Sequence, residues 1–215
     1  MQLELEWWGT GVPYQLGLDR QKAERGLVER GERSGLLAFV EHRPVVTLGK
    51  RSVERTPSPS WLQETGTDLA QTKRGGLATW HGPGQLTGYL ICDLRSWGIR
   101  RTVAALEQGL IAWLAQAGVP CGRRNGHPGV WHSSGKLAAL GLHVQRGISM
   151  HGFALNLHVE PQVWEAIVPC GIRDASPQSL HRLIPGVPAP QQAWPSVGLA
   201  IQEALSALDA AATAR

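Results

Sequence analysis

The stretch Pro169-Cys170-Gly171 sets one cysteine between a residue that stiffens the backbone and one that bears no side chain. Two readings fit it. The turn displays a reactive sulfur, or it ends a strand with a small buried thiol at its tip. Upstream, Lys136 opens the otherwise apolar run Leu137-Ala138-Ala139-Leu140. Arginine supplies nearly all the positive charge of this chain, and the only lysines are Lys22, Lys50, Lys73 and Lys136. A lysine can give up its proton when desolvated, whereas an arginine effectively cannot. The plainer reading is a stem lying on apolar surface with its head in water. Cys170 and Lys136 stand 34 residues apart, so only the tertiary fold can bring thiol and amine together.

Two further segments carry residue types suited to a site. Residues 74–85, RGGLATWHGPGQ, hold four glycines. Glycine admits positive φ and close backbone approach, and free N–H groups in such a loop suit an oxyanion. A glycine-rich hairpin with a packed His81 accounts for the same letters. Neither GxGxxG nor GxxxxGK[ST] is present, so no phosphate-binding fingerprint is written here. The third segment, residues 149–156, SMHGFALN, begins a strand at His151 beside Gly152; a lone histidine there reads as a structural residue more often than as a catalyst.

The elements that must position these residues follow from periodicity. Helical spacing over 14–30 predicts a helix with Leu16, Ala23, Leu27 and Val28 toward the core. Residues 36–42 and 45–48 read as strands interrupted by Pro44, 51–60 as a loop, and 102–117 as an amphipathic helix. Residues 136–145 and 151–158 read as a strand pair turning at Arg146-Gly147, and 196–211 as a final helix after the linker-like 185–190. The pattern predicts an α+β fold, a mixed, largely antiparallel sheet flanked by helices, over one domain at 1–215. With 42% hydrophobic residues and 18% charged, the chain is not a disordered one. No apolar run is long enough for a membrane helix, and Glu4 and Glu6 near the start argue against a secretory signal, so a cytoplasmic protein is expected. Three widely spaced cysteines without a CxxC pair suggest neither a zinc site nor a disulfide framework. The net charge of +4 and the arginine doublets favour acidic partners but match no nucleic-acid-binding module.

Taken together the segments resemble the lipoyl(octanoyl)transferase family. The matches are RGG-x-x-T-x-HGPGQ at 74–85, GVW followed by Lys136 and a small-residue strand at 129–141, HG-x-x-LN at 151–156, and PCG at 169–171. The resemblance implies a fold like the catalytic domain of biotin and lipoate protein ligases. It implies Cys170 as nucleophile and Lys136 as its partner. It implies acyl contacts from Arg74, Gly75, Gly76, Leu77, Ala78, Thr79, Trp80 and His81, from Ala139, Leu140 and Gly141, and from Gly152, Phe153 and Ala154, with His151 as an orienting residue. The implied donor is octanoyl-acyl carrier protein. The implied acceptors are lipoyl domains of 2-oxo-acid dehydrogenase complexes and the glycine cleavage H protein. No cofactor, metal, nucleic acid or membrane is implied. The alternative is an ATP-dependent lipoate- or biotin-type ligase on the same architecture.

Overall fold

The computed structural model describes residues 3–49, 56–72, 74, 77–164 and 176–213. Cys170 and its neighbours at 165–175, with Gly75 and Gly76, lie outside the described residues.

The frame is a seven-stranded sheet built on two central strands that are buried along their whole length, β2 (Gly35–Val40) and β6 (Gln85–Cys92). A third, β10 (Ile148–Asn156), is equally buried and lies beside β6. Such strands need cover on both faces, and their side chains divide by the two-residue period of a pleat. Leu36, Ala38 and Val40 face α1 (Tyr14–Glu29), while Leu37 and Phe39 face the opposite core with Leu86, Leu90 and Leu155. That second core is closed by α3 (Ile99–Gln116) and α4 (Pro190–Thr213) through Leu106, Leu110 and Leu114 on one and Val197, Ile201 and Leu205 on the other.

The remaining strands of the sheet are β1 (Glu4–Trp7), parallel to β2, and then β9 (Gly135–Gln145), β8 (His127–His132) and β7 (Gly122–Arg124), each antiparallel to its neighbour. A separate three-stranded sheet sets β3 (Val45–Leu48) between β4 (Asp68–Gln71), parallel, and β5 (Thr79–His81), antiparallel. One short helix, α2 (Pro59–Thr65), precedes β4. The expected mixed, largely antiparallel sheet with flanking helices is therefore the observed one.

Four local expectations are corrected. Leu16 is 45% exposed and Ala23 also faces solvent. The buried face of α1 is Tyr14, Gly17, Gln21 and Val28, because the strand surface it covers is polar near its middle and takes Gln21 instead of a leucine. The loop expected over 51–60 ends early: Ser58 Oγ accepts the Trp61 N–H at 3.2 Å and Pro59 sits at the first helical position, which starts α2. The third helix begins at Ile99, after Gly98 at φ +75, three residues ahead of its apolar pattern. The last begins at Pro190, six residues ahead of its expected start, and carries Pro195 inside its opening turns; the linker-like stretch ends at Ala189.

Leu110 is fully buried where α3 meets α4 and the sheet. Leu110→Ala should lower the unfolding free energy by about 2–5 kcal/mol, by transfer plus cavity terms; denaturant titration measures it.

Candidate active site

A cleft opens between the two sheets. Its floor is the face of the large sheet that α1 leaves uncovered. Cross-strand register places Thr87, Ala154 and Ala139 in one row, and Tyr89, Gly152 and Gly141 in the next. Alanines and glycines on two adjacent strands leave a shallow channel where larger side chains would fill it. Gly152 is required by the packing: a Cβ there would lie 2.2 Å from the Gly88 carbonyl oxygen. Thr79, His81, Arg74 and Leu77 border the cleft from the small-sheet side, and Tyr14 of α1 closes one flank. Leu140 and Phe153 also border it.

Of the residues expected to bind the acyl chain, Ala78 and Trp80 turn away. They alternate with Thr79 and His81 along β5, so they point into the small core with Val46, Leu48 and Val159. Trp80 meets Trp164 edge-on there, ring centroids 5.9 Å apart.

Lys136 begins β9 and is buried, with 8% of its surface exposed. Its Nζ lies 4.8 Å from the ring centroid of Trp131, on the neighbouring strand. The other cation on that ring is Arg124, at 5.1 Å. Gly129 makes the room: a Cβ at that position would stand 2.6 Å from Lys136 Cε. The backbone of Lys136 is held as firmly. Its N–H donates to Ser176 O at 3.1 Å, and its carbonyl accepts the Gln178 N–H at 2.8 Å, so 176–178 run beside it as a parallel bridge through Pro177. A smaller cavity at Lys136 is bounded by Trp164 and Pro177 and shares Thr79, Ala139 and Ala154 with the cleft. The cleft and the lysine's cavity are thus neighbours across these three residues.

The polar residues that line the cleft are uncharged at neutral pH, apart from one arginine. His81 Nδ1 donates to Gln85 Oε1 at 2.7 Å. The direction is fixed because Gln85 Nε2 is spent on Trp80 O and Asn156 Oδ1. His81 Nε2 is then a bare acceptor. His42 Nδ1 donates to Val12 O at 2.9 Å, which leaves Nε2 to accept the Tyr89 hydroxyl at 2.6 Å. Burial holds these rings neutral: His81 falls to about 3, helped by His42 and Arg74, and His42 to about 4. Burial, then Arg74, takes His151 to about 3. Burial raises Tyr14 to about 12 and Tyr89 well above its usual value. Arg74 itself is 9% exposed and donates through Nη2 to Thr47 O at 2.7 Å and Thr47 Oγ1 at 2.9 Å.

Tyr14, Thr87, Tyr89, His42 and Gln85 were not anticipated at the site. One signal was available. Gln85, Thr87 and Tyr89 recur at every second position of an otherwise apolar strand, which marks a face that is not hydrophobic core. Among the described residues no cluster of His, Cys, Asp or Glu is arranged to hold a metal ion, and no helix is long and apolar enough to cross a membrane.

Three comparisons bear on this site. The model of the lipoyl protein ligase A/B catalytic domain matches residues 14–201. An octanoyltransferase of Leifsonia xyli is 37% identical over 201 residues, 90% of this chain and 88% of that one. One from Rhodococcus opacus is 38% identical over 216 residues, covering 94% and 81%, and one from Halorhodospira halophila is 44% identical over 150 residues, covering 68% and 67%. Among solved structures, the bipartite lipoate protein ligase of Thermoplasma acidophilum shares the fold at a TM-score of 0.75, with 16% identity over 97% of this chain and 84% of that one. The biotin protein ligase of Aquifex aeolicus shares it at 0.58, with 12% identity over 94% and 70%.

The depressed histidines make stability depend on pH. Unfolded, each titrates near 6.5; folded, each stays neutral down to about 3 or 4. Their contribution is whole above pH 6.5 and is lost as pH falls toward 4, where the unfolded chain binds more protons. In denaturant titrations over that window, His42→Gln should flatten the slope by up to about 1.4 kcal/mol per pH unit.

Proposed function

Because the chain belongs to the family of the lipoyl protein ligase A/B catalytic domain, and its closely similar relatives are octanoyltransferases, we propose that it is an acyltransferase which moves an octanoyl group onto the target lysine of lipoyl domains. The donor is octanoyl-acyl carrier protein. The acceptors are the lipoyl domains of 2-oxo-acid dehydrogenase complexes and the glycine cleavage H protein. The reaction runs on one domain, 1–215, in the cytoplasm, where thiols stay reduced.

One observation carries the mechanism. The described residues on either side of 165–175 both sit at Lys136: Trp164 bounds its cavity, and Ser176 and Gln178 bind its backbone. Cys170 is six residues from Trp164 and six from Ser176, a tether that reaches at most about 20 Å. We assign Cys170 as the nucleophile on that basis. Its thiolate attacks the thioester carbonyl; a new C–S bond forms, the donor C–S bond breaks, and the carrier thiolate leaves as a thiol on taking a proton from the Lys136 ammonium. The lysine amine of the lipoyl domain then attacks the acyl-enzyme; the C–S bond breaks, the amide forms, and the amine's proton passes to the protein.

Lys136 serves both steps. As an ammonium it favours the thiolate of a neighbouring cysteine, and as a base it relieves the attacking amine of its proton. The acyl chain lies over Ala139, Gly141, Gly152 and Ala154, against Arg74, Leu77, Thr79 and His81. Gly75 and Gly76 supply backbone donors for the oxyanion of each step. Passage from thioester to thioester is near balance and from thioester to amide is downhill, so no nucleotide is consumed. A ligase on this fold would instead release AMP.

Mass spectrometry tests the scheme. Mixing the protein with octanoyl carrier protein should give an octanoyl adduct on Cys170, discharged by adding apo lipoyl domain. Cys170→Ala should give no adduct and no transfer. Lys136→Arg should retain the positive charge but slow transfer by about 10²- to 10⁴-fold. Full transfer by Cys170→Ala, or transfer that requires ATP, would falsify the covalent route.

A further inference from the structure

Only two described residues other than glycine have positive φ: Arg146, in the turn between β9 and β10, and His151, inside β10. A turn residue with φ of +53 is ordinary. A strand residue with φ of +61 is not, and such conformations persist where the surroundings impose them, typically at functional sites. Here the consequence is visible. Phe153 and Leu155 face the core under α3 and α4, and strict alternation would send His151 the same way. Instead its ring enters the cleft and meets Tyr89 edge-on at 6.5 Å.

Gln21 imposes the conformation. Its Oε1 accepts the His151 backbone N–H at 2.9 Å. The side chain is fully buried, and its Nε2 has no hydrogen-bond partner. Burying half an amide unsatisfied is unfavourable, so the acceptor is the half that the fold uses.

His151 stands at the end of the cleft remote from Lys136. In the β9–β10 register Ala154 pairs with Ala139 near the lysine, and His151 pairs with Leu142. From Ala154 to His151 is three residues, about 10 Å of strand. An extended eight-carbon chain spans about 9 Å from its C–C bond length and tetrahedral angles. The Tyr89 hydroxyl is bound to His42, so this end offers the chain mainly ring surface.

We infer that His151, held in place by Gln21, is the end wall of the acyl cleft and sets the longest chain it accepts. This rests on the acyl-transfer reading and names the specificity determinant of the same site. His151 meets the chain terminus; Gln21 is a positioning residue that acts through it.

The test compares octanoyl, decanoyl and dodecanoyl carrier-protein thioesters as donors. In parallel, the free fatty acids of the same lengths displace a fluorescent fatty acid, so binding is read independently of turnover. His151→Gly keeps the backbone conformation without strain and removes the wall. It should raise the dodecanoyl-to-octanoyl ratio of kcat/KM at least tenfold, well within what burial of four more methylenes supplies, chiefly through KM. The affinity ratio of the free acids should shift in the same direction. Gln21→Leu should do likewise by freeing His151 to relax, and Gln21→Glu, which keeps an acceptor oxygen, should return the wild-type profile. An unchanged length profile in folded His151→Gly would overturn the inference. Loss of all transfer by the wild-type chain would count against the transferase reading, while the fatty-acid binding series would still decide the wall.

Discussion

The backbone of Lys136 is paired on its outer edge with Ser176 and Gln178, and the rest of the site depends on that pairing. A buried lysine on a sheet is common enough as packing. A buried lysine whose own strand is extended by the chain returning from residues 165–175 is fixed relative to whatever that return brings. Trp131 and Gly129 fix the other end of the side chain, one by attracting the ammonium to its face and the other by leaving space for Cε. The residue is thus held at its backbone and along its side chain.

A second constraint shapes the space in front of it. The central strands are apolar on the face under α3 and α4 and mixed on the other. That second face is covered by α1 along part of its length and by the small sheet along another. The gap between them is the cleft. Small floor residues keep it open, and buried, neutral histidines keep most of it free of charge, with Arg74 as the cation among its lining residues. A slot of that kind suits an apolar chain with a carbonyl at one end, because polar groups that are already hydrogen-bonded ask little of what lies against them.

Three of the four described helices and four of the ten strands were legible in the letters, since a helix or strand that buries one face must repeat its apolar residues at that period. Pattern alone places β3 at its observed bounds and β2, β9 and β10 to within three residues of theirs. Where the reading failed, tertiary contact had overridden hydrophobicity. Leu16 is apolar and exposed, whereas Gln21 is polar and fully buried, because the surface beneath α1 offers the His151 N–H and rewards an acceptor. Trp80 was read as part of the acyl slot because it sits in a motif with His81. Adjacent residues of a strand face opposite sides, and only the pairing of β5 with β3 shows which side is which. Tyr14, Thr87 and Tyr89 were missed since they come from elements with no motif of their own.

The sequence by itself determined the residue types and their order: a cysteine in a stiff turn, a lone lysine opening an apolar strand, a glycine-rich loop with a histidine, and periods that set three of the helices and four of the strands. These are local properties, decided by backbone stereochemistry and by the side chain at each position. The tertiary structure decided which of those residues share a space. It turned His151 into the cleft, turned Trp80 out of it, and brought both flanks of 165–175 to Lys136. Such meetings are set by strand register and by long-range hydrogen bonds between segments far apart in the chain, and no window of neighbouring letters contains them.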